Sequence, residues 1–195
     1  MTAETPRPID PSYEPRGGDR DLTHRDADWS GLDIVVMGLG VSGYAAADAL
    51  LERGAKVTVL STDASPTVQE RAKILDILGA RVLFGAEHQQ QVPAGTELVV
   101  TSPGVRPDHP FMLSAAAAGV PVWGEVELAW RMRPRTGAAP WLTITGTNGK
   151  TTAVTMLEQI LRSAGLRATA AGNVGLPILE AVLHPEPYEV LAVEL

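Results

Sequence analysis

Cysteine is absent from the 195-residue chain. That absence excludes disulfides, thiolate-bound zinc and a cysteine nucleophile, and it fits a cytoplasmic protein. A long apolar run is missing too. The nearest approach, FMLSAAAAGVPVW at residues 111–123, is too short to span a bilayer and is broken by glycine and proline. The opening residues, MTAETPRPIDPSYEP, hold no apolar segment of signal-peptide type. Basic charge is in deficit: 16 Lys and Arg against 23 Asp and Glu leave a formal net charge of −7. The field of the whole chain therefore repels nucleic acid and acidic membrane surfaces. Any anionic ligand must be held by local devices such as loop amides, helix N-termini or single lysines. The four histidines, His24, His88, His109 and His184, are scattered without metal-ligand spacing, and none is a catalytic candidate.

What is present is an ordinary globular composition, 45% hydrophobic and 20% charged, in a chain long enough for one large domain or two small ones. Residues 1–28 are rich in Pro, Asp, Arg and Gly without apolar periodicity and are expected to form a disordered arm. From Trp29 onwards, strand and helix patterns alternate. DIVVM, KVTVL, RVLF, ELVV and VPVW are strand-like runs. Between or after them lie helical patterns in YAAADALLERG, SPTVQERAKILDILG, HPFMLSAAAAG and EVELAWRM. In the second of these Ser65 is the expected N-cap, with Pro66 at the first position and Gly79 past the end. Such alternation implies right-handed crossovers and a parallel sheet, a Rossmann-like α/β domain over residues 29–135.

RPRTGAAP, residues 133–140, reads as a linker, after which the pattern restarts. WLTIT, RATAA and EVLAVEL are strand-like, with a helix in TAVTMLEQILRSAG and a short one after Pro177. Residues 136–195 are thus expected to begin a P-loop-type α/β ATP-binding domain. That domain type needs more strands than these, so the chain is expected to be a fragment, truncated at Leu195 and inactive alone.

Two glycine loops carry the chemistry. GLGVSG follows a strand and precedes a helix, as a GxGxxG phosphate loop must. Gly38 permits the tight turn, Gly40 lets the backbone approach a phosphate, and Gly43 lets helix and strand pack closely. A dinucleotide site also wants a carboxylate at the end of the second strand, where Ser61 and Thr62 stand and Asp63 lies just beyond. The loop therefore suits another diphosphate better. TGTNGKTT, residues 145–152, is two residues shorter between its glycines than GxxxxGK[ST], yet it keeps every part. Gly146, Thr147, Asn148 and Gly149 form a small-residue loop. Lys150 would balance phosphate charge, Thr151 would ligate Mg²⁺, and Thr152 adds a hydroxyl at the helix start. Glu194, a carboxylate in the aliphatic strand VLAVEL, asks for a partner or a metal. Glu125 and Glu127, two apart on a helix, do not share a face and read as structural or surface residues.

GTNGKTT resembles the shortened ATP loop of the Mur ligases and their folylpolyglutamate synthase relatives. TSPGV at residues 101–105, GEVELAW at 124–130 and AGNVGLP at 171–177 complete five motifs in order. Together they resemble the branch of that family that joins D-glutamate to UDP-N-acetylmuramoyl-L-alanine. The resemblance covers residues 29–195 and implies an ATP- and Mg²⁺-dependent amide ligase, monomeric when complete, working through an acyl phosphate in peptidoglycan precursor synthesis. It implies that Val41 and Ser42 meet the UDP diphosphate, with Ser61 and Thr62 facing uracil. Ser102, Gly104 and Asn173 would line the muramoyl path. Lys150 would be the catalytic cation, with Thr151 and Glu194 placing Mg²⁺. Family members often carry an acid where Ser61 stands. Two readings from other classes remain: a non-catalytic nucleotide-binding module, and a nicotinamide dehydrogenase, which leaves GTNGKTT without a task.

Overall fold

The computed structural model describes residues 20–195. Of the expected arm, residues 1–19 lie outside the described residues. Residues 20–28 run against the first domain: Leu22 is 6% exposed within the main core, and Arg20 Nη1 donates to Ser30 O at 2.6 Å. A single leucine in a polar stretch has no periodicity to announce it, so its burial is a tertiary event.

The first domain is a five-stranded parallel sheet. Its strands are β1 (Asp33–Met37), β2 (Lys56–Ser61), β3 (Arg81–Phe84), β4 (Leu98–Thr101) and β5 (Val122–Gly124), in the order β3-β2-β1-β4-β5. The connecting helices are α1 (Val41–Glu52), α2 (Pro66–Ile77) and α3 (Pro110–Ala117), with α4 (Glu125–Arg131) after β5. β1 is central and dry on both faces: Ile34 and Val36 point into one core cluster, Val35 and Met37 into the other. This two-residue alternation, apolar on each side, is why DIVVM is continuously hydrophobic. Ser65 does stand before α2, but its hydroxyl donates to Asp63 Oδ2 at 3.2 Å and makes no bond to the helix.

The second region is a three-stranded parallel sheet ordered β6-β8-β7. It comprises β6 (Trp141–Ile144), β7 (Ala168–Gly172) and β8 (Val190–Glu194), with helices α5 (Lys150–Ser163) and α6 (Ile178–Val182). β8 is central and buried throughout. β6 is an edge strand with Leu142 41% exposed. Helix α6 packs on α1 and α4, so Ile178, Leu179, Leu191 and Val193 share one core with Leu50, Leu128 and Met132. The linker is pinned at the same junction. Trp130 and Trp141 meet edge to face with ring centres 5.2 Å apart, and the Arg133 guanidinium lies over the Trp130 ring. Burial there lowers the Arg133 pKa below its ordinary value.

Candidate functional site

In a parallel sheet the loops that leave the strands' C-terminal ends gather along one edge, and a crevice opens where the strand order reverses direction. That reversal falls between β1 and β4. GLGVSG leaves β1 there and TSPGV leaves β4 beside it, with Met37 paired in register to Thr101.

The loop is held tightly. Gly38 has φ +93°, in the left-handed region that favours glycine, and its N–H donates to Leu60 O at 2.8 Å. A Cβ on Gly43 would lie 2.0 Å from Gly38 O, so the helix can approach its own loop only without a side chain. Ser102 ties the two loops together, its hydroxyl donating to Met37 O at 2.9 Å. The first α1 amide in the helical ladder is Tyr44, bonded to Gly40 O at 3.0 Å. The N–H groups of Val41, Ser42 and Gly43 precede it, and a Cβ on Gly40 would meet nothing within 4 Å. Open backbone at Gly40 beside three unladdered amides is an arrangement able to receive an anion. Ser61 ends β2 one strand away, with Thr62 just past it; Ser61 is 2% exposed and its hydroxyl donates to Asp63 O at 2.9 Å. Asp63 in turn accepts from Ser65 N at 2.8 Å, so both groups of the dinucleotide test are engaged in their own turn. Gly104 lies exposed in the turn after β4.

The second site repeats the plan with a looser loop. Gly149 caps α5 at φ +76° and ψ +1°, and Ala153 N bonds Gly149 O at 3.0 Å. The N–H groups of Lys150, Thr151 and Thr152 therefore precede the ladder of a 14-residue helix. Lys150 Nζ donates back across the loop to Gly146 O at 2.9 Å. Thr147 and Asn148 are exposed at the tip. Glu194 ends β8 in register with Ile144 and Gly172, which places it between the two loops that leave β6 and β7. Its carboxylate, on a residue 6% exposed, accepts from Thr151 Oγ1 at 3.0 Å. Asn173 is exposed just past β7. The two residues expected to hold Mg²⁺ are thus neighbours separated by 43 positions in sequence. A hydroxyl and a carboxylate are hard oxygen donors, the kind that magnesium accepts. Among the described residues no cluster of three or more His, Cys, Asp or Glu forms a metal site.

One residue near the first loop escaped the sequence reading. Arg71 on α2 sends Nη1 to Leu39 O at 3.4 Å, placing a cation on the glycine loop. Its position 32 residues from Leu39 gave no signal. Glu125, expected as a structural or surface residue, is 8% exposed, and its Oε1 has no hydrogen-bond partner among the described residues. Its companion Glu127 is half-exposed and ion-paired to Arg131 at 2.6 Å.

Residues 32–124 match the family model described as Mur ligase MurD-like, N-terminal domain. Over 170 residues the chain is 54% identical to the UDP-N-acetylmuramoylalanine--D-glutamate ligase of Frankia casuarinae, covering 86% of this chain and 34% of that protein. Over 167 residues it is 53% identical to the ligase of the same name from Streptomyces avermitilis, with 86% and 35% covered. Among solved structures, the UDP-N-acetylmuramate-alanine ligase MurC of Thermotoga maritima covers 84% of this chain and 37% of its own, at 22% identity and a TM-score of 0.48. The chain spans about a third of the length of the curated relatives it matches.

Proposed function

We propose that this chain, whose residues 32–124 match a MurD-like N-terminal domain, belongs to the Mur ligase family and provides the two nucleotide sites of a UDP-N-acetylmuramoyl-L-alanine:D-glutamate ligase. The reaction joins the alanyl carboxylate of the UDP-sugar to the amine of D-glutamate at the expense of ATP. The first domain holds the UDP-sugar. Its diphosphate sits on the amides of Val41, Ser42 and Gly43 over the open backbone of Gly40, with the Arg71 cation close by. Ser61 and Thr62 border the uracil end, and Ser102, Gly104 and Asn173 border the path of the muramoyl part.

The second region holds ATP. The amides of residues 150–152 and the Lys150 ammonium take the phosphates, while Gly146, Thr147, Asn148 and Gly149 keep the loop small enough for backbone to approach them. Thr151 and Glu194 would hold Mg²⁺. When bound, ATP supplies the phosphoryl group that makes the alanyl carboxylate an electrophile, and Mg²⁺ neutralises charge on its phosphates. This chain's contribution is to position those groups and to balance their charge. The observation that carries the reading is the contact between Thr151 Oγ1 and Glu194 Oε2 at 3.0 Å beside Lys150. It supports a phosphate loop and a cation-binding carboxylate working as one site. Within the described residues no helix is long and apolar enough to cross a membrane, and the reading places the protein in the cytoplasm, in peptidoglycan precursor synthesis and so in cell shape and division.

Calorimetric titration of the chain tests this directly. UDP-N-acetylmuramoyl-L-alanine and Mg²⁺·ATP are each expected to bind once, independently, and NADH not at all. Lys150→Ala is expected to weaken ATP about 100-fold, the scale of one charge-assisted contact, while leaving UDP-sugar binding intact. Undiminished ATP binding in Lys150→Ala removes the assignment of the second loop. Failure of the wild-type chain to bind the UDP-sugar removes that of the first.

A further inference from the structure

Glu125 begins α4 directly after Gly124, which pairs in register with Thr101 of β4, so its side chain enters beside Ser102. There it lines a narrow crevice with Ser42, Gly43 and Ala46 of α1 and with Val100, Thr101 and Ser102. Its Oε1 is buried without a partner among the described residues. The two hydroxyls at the end of β4 are turned elsewhere: Ser102 donates to Met37 O, and Thr101 donates to Ser102 O at 3.3 Å. A buried carboxylate oxygen left unpaired is costly, and what offsets the cost here is position. The charge lies in the first turn of its own helix and against the start of α1, a 12-residue helix, so it faces positive helix ends. The start of α1 is also where an incoming diphosphate would bind.

We propose that Glu125 is a built-in counter-charge that competes with a nucleoside diphosphate for the N-terminus of α1 and thereby limits how tightly the first glycine loop holds its ligand. The proposal rests on the reading of that loop as the UDP site. Of the other charged groups nearby, Glu127 is neutralised by Arg131, and Arg71 contributes the one cation hydrogen-bonded to the loop among the described residues. Glu125 therefore opposes an anion there with no hydrogen bond to its Oε1 among the described residues to offset it. Its effect depends on ligand charge and is absent for a neutral nucleoside.

The test is Glu125→Gln, which keeps the size and an acceptor oxygen but removes the charge. Wild type and variant are titrated with UDP and with uridine, at low and at high salt. UDP is expected to bind about five- to tenfold more tightly to the variant, the scale of one unit charge acting over several ångströms in a partly polar medium. That gain should shrink as salt rises, and uridine affinity should not change. Equal or weaker UDP binding by the variant, or an equal gain for uridine, overturns the proposal. Should Glu125→Gln fail to fold, Glu125→Met fills similar volume without charge and serves for the same comparison. Wild-type protein that does not bind UDP at all defeats the reading of the loop, and the proposal with it. Wild-type binding without a gain in the variant defeats only the role of Glu125.

Discussion

The two glycine loops share one plan, strand then loop then helix, but they use their glycines differently. In the first, glycine removes volume: a side chain on Gly43 would collide with Gly38 O, and one on Gly38 would come within 2.7 Å of the Ser102 hydroxyl. In the second, glycine supplies conformation alone, because a Cβ on Gly149 meets nothing within 4 Å although its φ is +76°. The first loop is wedged between a helix and two strands of a five-stranded sheet. The second opens at the end of an edge strand whose neighbour α5 buries only Val154. A tight loop suits a ligand gripped by backbone, and an open one suits a ligand gripped by Lys150 and hydroxyls.

That contrast can be broken by adding a single methyl group at each place. Gly43→Ala is expected to have the largest effect. The methyl cannot be accommodated without separating α1 from its loop, at a cost of about 3 kcal/mol, the upper range for overpacking, read as a lower urea midpoint. Unchanged stability in Gly43→Ala would show that α1 slides freely and end the distinction. Gly149→Ala is expected to cost about 1 kcal/mol through its left-handed backbone alone, with ATP affinity falling further than stability does. A loss as large as that of Gly43→Ala would mean the second loop is also packed. The smallest stability change belongs to Gly40→Ala, within about 0.5 kcal/mol, since its φ of −69° suits any residue and its surroundings are open. UDP affinity should nevertheless fall in Gly40→Ala, because the methyl occupies the approach to the amides. Undiminished affinity would move the diphosphate away from that position.

Much of this was legible along the chain, and the reason is periodicity. β-branched runs bounded by glycine announced β1, β2 and β4, and both glycine loops were recognisable because a strand and a helix flanked each of them. The Thr151–Glu194 pair was anticipated only through family resemblance and not from spacing, since 43 residues separate the two. What stayed hidden depends on contacts between distant segments. Nothing in RVLF or WLTIT says that both lie at sheet edges, because strand order is set by how the crossovers pack. Leu22 carried no pattern, and Arg71 looked like any charged residue on an amphipathic helix. The burial of Glu125 beside Ser102 was not legible because helical spacing relates it to Glu127 and not to Ser102. That last neighbour comes from β4 and β5 lying side by side.

The four tryptophans fall into two environments with a practical consequence. Trp29 and Trp123 are sealed in the first domain's core, with ring centres 6.3 Å apart. Trp130 and Trp141 stand where the linker joins the two regions, with the Arg133 guanidinium against the first ring. Indole emission shifts with local polarity and is quenched by close charged groups. The junction pair is therefore a native optical gauge of how firmly the two glycine-loop regions are coupled. In a chain whose core indoles are replaced by phenylalanine, ligand titrations followed by light alone would tell whether occupying one site is felt at the seam with the other.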